Sequence, residues 1–386
     1  MIVFIGRVSV ALGIIVALLT ISIGLGSKKA IKERMADFSG HVTVKSSQSN
    51  SSYNSSVLQK EGLQLDKIKK LDDVSSVQSY ATTTGIMRNE HNFAGIILKG
   101  VGSDFDAERF QKFIIEGKVP SFNDKGPNNE IIISKKTAAD MHLKLKDSIV
   151  AVFVKENQNL IYRKFVVSGI YKTDIKMIDD QFVIGGLNHV RRILGMENNE
   201  VGGLDIFMND IDKIDDDFPS IEKLVGYKNY AEKASDRYQQ INDWIKIFDN
   251  NIVLIITLML VVVIINIIMV LLILIIERTN SIGLLKTLGA TNTQIQTIFI
   301  NYTLMIMIPG LLVGNAIGLG LILIQKYFGV ITLNPDTYYV SVVPVDLNPV
   351  AIVSVSLGIL AVSALALIIP SYLISKISPV KAIKYE

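Results

Sequence analysis

Four histidines, His41, His91, His142 and His189, are the residues most suited to holding a metal or passing a proton, and they are scattered without ligand-like spacing. An acidic run, Asp210, Asp212, Asp215, Asp216 and Asp217, offers the oxygens that calcium takes. It lacks the glycine and the terminal glutamate at EF-hand spacing, so it reads as a solvated face. The absence of cysteine removes disulfides, thiolate metal sites and lipid-modified cysteines. No G-x-x-x-x-G-K-[ST] run occurs, so the chain has no P-loop for ATP. No catalytic constellation, metal site or cofactor is therefore expected, and the chain is read as not an enzyme. A net charge of +3, from 39 basic against 36 acidic residues, gives no footprint for nucleic acid.

The chemistry must then lie in contacts, and the elements that carry them follow from how charge is distributed. The 386 residues are 49% hydrophobic yet 19% charged, and the two classes are segregated. No charge lies between Arg7 and Lys28 or between Asp249 and Glu277, and from residue 298 to 375 the charges are Lys326, Asp336 and Asp346. A bilayer core needs about 20 apolar residues as a helix, and only helices satisfy every backbone group there within one segment. Four transmembrane helices fit. The first uncharged stretch is longer than a signal-peptide core of about 7–15 residues, so it is read as an uncleaved anchor.

Between the second and third apolar segments lies a short stretch, residues 277–290, with charges at its start and apolar residues along its middle. Ile282 and Leu285, and Leu284 and Leu288, stand at helical spacing, which predicts a small helix with one apolar side. Gly289 suits its stop. Thr291 and Gln294 form the capping-box pattern that starts the next helix. Such a helix can lie on lipid or be gripped by a partner protein. The run ERTNSIGLLKTLGAT resembles the coupling segment of FtsX-like/MacB-like ABC transporter permeases, usually E-R-x-x-E-I-G-x-L-K-A-L-G-A-T. Glu277, Arg278, Ile282, Gly283, Leu285, Lys286, Leu288, Gly289, Ala290 and Thr291 match, while Ser281 and Thr287 replace the usual Glu and Ala. The tail is similar to the family's closing signature through Pro370, Pro379, Ala382 and Glu386, with Ser378 in place of the usual Asp. Residues 130–147 and 166–174 resemble the extracytoplasmic domain of MacB-like permeases.

The resemblance implies that residues 277–290, with Leu284 among them, dock into a separate cytoplasmic P-loop ATPase subunit of the LolD or MacB kind. It also implies a second permease copy or a paralogue, and a mechanical role in place of a conventional pore. In layout the chain is similar to lipoprotein-releasing (Lol-type) permeases, which implies lipoprotein as cargo, a periplasmic carrier as acceptor and membrane lipid as surroundings. The same plan fits MacB-like drug or peptide exporters and FtsX-type regulators. A membrane-anchored sensor or adhesion protein with no ATPase is the reading from another class. Lol-type members usually carry a cytoplasmic amphipathic helix before the first span, and only six residues precede Arg7 here.

The expected order is transmembrane helix 1 (1–27), stalk (28–40), a large α+β MacB-like periplasmic domain (41–230), stalk helix (231–251), transmembrane helix 2 (252–276), coupling helix (277–294), transmembrane helix 3 (295–325), extracytoplasmic loop (326–349), transmembrane helix 4 (350–370) and cytoplasmic tail (371–386). In the domain, strands are expected near 41–45, 77–88, 93–100, 130–133, 148–154, 162–171, 182–184 and 204–208, with helices near 63–71 and 134–141. The loop at 46–56 is rich in serine and asparagine. Ile31, Met35 and Phe38 form one apolar stripe, and Tyr238, Ile241, Ile245, Phe248 and Ile252 step by three and four as in a coiled-coil seam. The two are expected to pack together as a stalk. Ser9, Gly13 and Ala17 line one side of the first span. Gly310, Gly314 and Gly318 make a groove for close packing against the second span or a partner's helix. Asn266, Asn301 and Asn315 are expected to bond to neighbouring helices. Lys376, Lys381, Lys384, Arg278 and Lys286 place the tail and the coupling loop in the cytoplasm by the positive-inside rule, in the bacterial inner membrane. The cluster Lys28, Lys29, Lys32 and Arg34 argues the other way, but long domains translocate largely regardless of charge.

Overall fold

Crossing the hydrocarbon core takes a helix of about 20 residues, and the chain forms four helices long and apolar enough. In the computed structural model, which describes residues 2–50, 52–122, 128–155, 159–237, 239–334 and 340–368, these helices run Ile2–Ser39, Gln239–Glu277, Asn292–Phe328 and Pro349–Ala366. The first two span roughly 57 Å at 1.5 Å per residue, well beyond a bilayer core, so each carries an extension. The chain divides into two compact units. A membrane unit comprises Met1–Lys28, Asp243–Thr332 and Val342–Glu386, and a sheet domain comprises Lys29–Asn242 and Leu333–Ser341.

Within the membrane unit the first helix meets both the second and the third. A β-carbon on Gly13 would lie 2.3 Å from Val263 Cγ2, so the second helix comes close only because that side chain is absent. The glycine groove of the third helix packs on the first helix. Gly310 faces the Arg7 carbonyl, Gly314 the Ala11 carbonyl, and Gly318 the Leu18 side chain. This corrects the expectation that the groove receives the second span or a partner's helix. Ala11 extends no further than Cβ and leaves its own backbone open to the groove. Ser356 Oγ donates to Asn315 Oδ1 at 2.9 Å, joining the fourth helix to the third. Asn266, expected to bond to a neighbour, instead donates to the Val262 carbonyl of its own helix at 3.0 Å. The outer loop is tied back by Ser22, whose hydroxyl donates to the Asp346 carbonyl at 2.6 Å.

The sheet domain has twelve strands: β1 (Val42–Ser46), β2 (Leu58–Gln59), β3 (Val74–Arg88), β4 (Phe93–Val101), β5 (Ile114–Gly117), β6 (Glu130–Ser134), β7 (Ser148–Val154), β8 (Leu160–Tyr171), β9 (Phe182–Gly186), β10 (Glu200–Val201), β11 (Gly203–Met208) and β12 (Asn229–Lys233). Ten of them form one mixed sheet in the order β12-β1-β11-β3-β4-β9-β6-β8-β5, with β7 pairing to both β3 and β8. The path from β3 through β4, β9, β6, β8 and β7 therefore returns to β3, so six strands close on themselves. Met87, Leu98, Ile131, Ile133, Phe153, Phe165 and Val183 belong to the core, all buried. The helix Leu187–Leu194 buries Leu187, Val190 and Ile193 on the same core.

Residues 231–233 depart from the expected stalk helix. Ala231, Glu232 and Lys233 pair with Val44, Thr43 and Val42 as the edge strand β12, and the long helix begins at Gln239. Ala, Glu and Lys favour helix in isolation, and pairing with β1 overrides that preference. Tyr238, the side chain of Ile241, the turn at 156–158 and the tail with Pro370, Pro379, Ala382 and Glu386 lie outside the described residues.

Candidate coupling site

The first helix enters the sheet domain through a collar of polar and aromatic contacts. Its last turn leaves carbonyls without helical partners, and Lys99 Nζ donates to the Phe38 carbonyl at 2.8 Å. A cation at a helix C-terminus is also favoured by the macrodipole. Lys99 in turn holds Asp205 Oδ2 at 2.7 Å, with both side chains buried. Burial pushes the Lys99 ammonium below the ordinary lysine range, and the Asp205 carboxylate opposes that push. Thr43 Oγ1 donates to the second oxygen of Asp205 at 3.1 Å. The Phe38 ring stands 5.2 Å from Phe182, with Phe110 and Tyr171 also around it. Arg34 reaches Asp174 at 2.6 Å, and Asp37 pairs with Lys112 and Arg109. Burial raises the Asp174 carboxyl, but Lys172 and Arg34 outweigh it and hold the group below the usual carboxylate range.

The stripe expected to form one side of the stalk is thus embedded in the sheet domain: Ile31, Met35 and Phe38 are all buried, and Phe38 lies against domain residues. Nearer the membrane, Lys28 Nζ bonds to Asp249 at 2.9 Å, which joins the extensions of the first and second helices. Ile245 is buried and Phe248 half-buried. The chain's way in and way out are adjacent. Val42 of β1 pairs with Lys233 of β12, and the Ala234 amide donates to the His41 carbonyl at 3.0 Å.

His41 sits at this junction. Its Nδ1 accepts the Met208 amide at 3.0 Å, which requires a neutral ring. Burial, followed by the Arg109 charge, lowers its pKa from 6.5 to about 4, against the pull of Asp37. The unfolded chain therefore binds the proton first, so stability from His41 is full above pH 6.5, falls as pH drops toward about 4, and levels off below that. At 1.36 kcal/mol per unit the loss is about 3 kcal/mol. A His41→Gln variant should show a flatter melting temperature across that acid range; an unchanged acid slope would exclude His41 as its source. His189 is buried as well, with Nε2 3.1 Å from the Asn128 carbonyl, while His91 and His142 are exposed. In the acidic run, Asp215 pairs with Lys233.

At the other end of the second helix lies the hairpin. A short helix, Thr279–Thr287, follows Glu277, and Gly289 closes it at φ +95°, a left-handed conformation that favours glycine. Thr291 then caps the third helix, with the Thr291 amide donating to Gln294 Oε1 at 2.9 Å. The short helix is apolar on two sides, which corrects the single side expected. At 3.6 residues per turn, Ile282 and Leu285 share one face and Leu284 and Leu288 another. Ile282 is fully buried and Leu285 packs on the membrane core, together with Ala290. Leu284 is 59% and Leu288 76% exposed. Gly283 is buried, Lys286 half-buried, and Glu277, Arg278 and Gly289 are exposed.

Residues 8–224 match the MacB-like periplasmic core domain, and residues 253–379 match the FtsX-like permease C-terminal region. The chain belongs to the FtsX/MacB family of ABC transporter permeases, as a membrane protein with a MacB-like periplasmic domain. It is 21% identical over 393 residues to the lipoprotein-releasing system transmembrane protein LolC of Xylella fastidiosa, covering 98% of this chain and 92% of that one. It is 20% identical over 400 residues to the lipoprotein-releasing system transmembrane protein LolE of Haemophilus influenzae, covering 97% and 92%. Among solved structures, the extracellular domain of the noncanonic ABC-type transporter YknZ aligns with a TM-score of 0.35 at 16% identity, over 50% of this chain and 99% of that one.

Proposed function

We propose that this permease transmits ATP-driven movement of a separate cytoplasmic ATPase to its own periplasmic domain, and that its cargo is lipoprotein released from the bacterial inner membrane toward a periplasmic carrier. The observation that supports this most is the unbroken helix Gln239–Glu277. Its far end leads into the hairpin with exposed Leu284 and Leu288, and its near end follows β12, which is paired to β1. Closure of an ATPase pair presses on the hairpin, and a packed helix passes the movement on as a rigid body. A second copy or a paralogue completes the transporter. The names of the relatives aligned along nearly the whole chain support lipoprotein as cargo.

Leu284 and Leu288 are the residues to change, because Ile282 and Leu285 hold the hairpin to the membrane core. In mild detergent, Leu284→Asp with Leu288→Asp should lose the co-purifying ATPase while the permease keeps its melting temperature. Retention of the ATPase at wild-type stoichiometry would reject this docking surface. Because the chain has no cysteine, single Thr287→Cys and Phe93→Cys variants report sidedness in intact spheroplasts. Only the second should react with an impermeant maleimide. Labelling of both from outside would end the proposal. Lipid-linked protein in the purified complex supports lipoprotein release; ATPase stimulation by peptides or drugs alone would point to export.

A further inference from the structure

The serine- and asparagine-rich loop that follows β1 has no part in coupling, and it forms one wall of a cleft of about 500 Å³ inside the sheet domain. The volume falls within the range of small-ligand sites, about 300–1,000 Å³. The loop is fixed in place: the Ser55 amide donates to the Thr82 carbonyl at 2.9 Å, and Asn54 Oδ1 accepts the Thr84 amide at 2.8 Å. Opposite it stand Tyr80, Tyr230 and Glu232, with Lys45 from β1 and Arg237 from the segment after β12. Lys45 Nζ bonds to Glu232 at 3.0 Å. Arg237 donates to Thr43 Oγ1 at 3.4 Å and lies 5.9 Å from the Tyr80 ring centre. Two cations thus face one carboxylate among the described lining residues.

We propose that this cleft binds a phosphorylated polyol. A phosphate takes the positive charge left over and suits a guanidinium and an ammonium together. Hydroxyl groups of the ligand match the serine and asparagine side chains of the loop, and tyrosine faces cover its carbon edges. Burial and the Arg237 charge together lower the Lys45 pKa, so an incoming anion relieves a repulsion already present. Since Lys45 lies on β1 and Arg237 beyond β12, the bound group ties the two connectors together. Glycerol phosphate carries this chemistry both free and as the headgroup of phosphatidylglycerol.

The test uses the full-length protein in nanodiscs and calorimetric titration with sn-glycerol 3-phosphate, with glycerol as the uncharged comparison. Saturable binding of the phosphate and none of glycerol is expected. Lys45→Gln or Arg237→Gln should weaken it about tenfold or more, the loss of one charge-assisted hydrogen bond. Ser52→Trp fills the mouth of the cleft without touching a charge and should also abolish binding, so a folding defect in the charge variants does not decide the matter. Nanodiscs of phosphatidylglycerol that block the titration, where phosphatidylcholine does not, identify the lipid headgroup as the source; equal binding in both identifies the soluble form. No saturable binding, equal binding of glycerol, or binding unchanged in Ser52→Trp overturns the proposal.

Discussion

Replacing Asp205 by alanine should destabilise the sheet domain by about 3–5 kcal/mol, the cost of leaving a buried charge without its partner. The side chains of Lys99 and Asp205 are 7% and 3% exposed, so water cannot replace the lost carboxylate. Against a domain stability of about 5–15 kcal/mol, that is a large share. The damage also reaches the first helix, because Lys99 holds the Phe38 carbonyl and its aim depends on Asp205. Denaturant melts of the full-length protein in detergent measure the loss. The Lys99→Met, Asp205→Leu double variant should recover most of it, since two apolar residues of similar size leave no charge stranded. A loss below about 1 kcal/mol in Asp205→Ala would mean that water reaches Lys99 after all.

Gly314→Leu should separate the first and third helices. A β-carbon at Gly314 would sit 2.8 Å from the Ala11 carbonyl oxygen and 3.0 Å from its Cα, and backbone atoms cannot rotate away. Overpacking of this kind costs about 1–3 kcal/mol even when the surroundings adjust, and a leucine demands more room than an alanine. In lipid, helix association rests on close packing, because tails are as apolar as the side chains. Gly320 is the internal control: nothing lies within 4 Å of the position its β-carbon would take. Gly320→Leu should melt like the wild type, and Gly314→Leu well below it. Equal melting of the two would remove the groove from the helix interface.

The membrane helices and most strands were legible because length, apolar runs and alternation are local properties. The cap at Thr291 was readable for the same reason, since both its bonds close within four residues. What escaped the sequence was relational. The glycine spacing announced a close approach without saying to which helix, as a groove accepts any smooth partner. Leu284 and Leu288 looked like part of one apolar side until the membrane core took Ile282 and Leu285. β12 carries helix-favouring residues and shows its identity only in its pairing with β1. Lys99 and Asp205, 106 positions apart, give no sign of each other along the chain.

The adjacency of β1 and β12 fixes how this domain answers a pull. Both tethers leave from the same end of one ladder, at Val42 and Lys233. Forces that drag the tethers apart therefore act as on a zipper, loading one bond at a time, whereas a shared displacement loads none of them. The domain is accordingly stiff to carriage and weak to tearing: it rides along when both tethers move together, and it gives way at this seam first when they part.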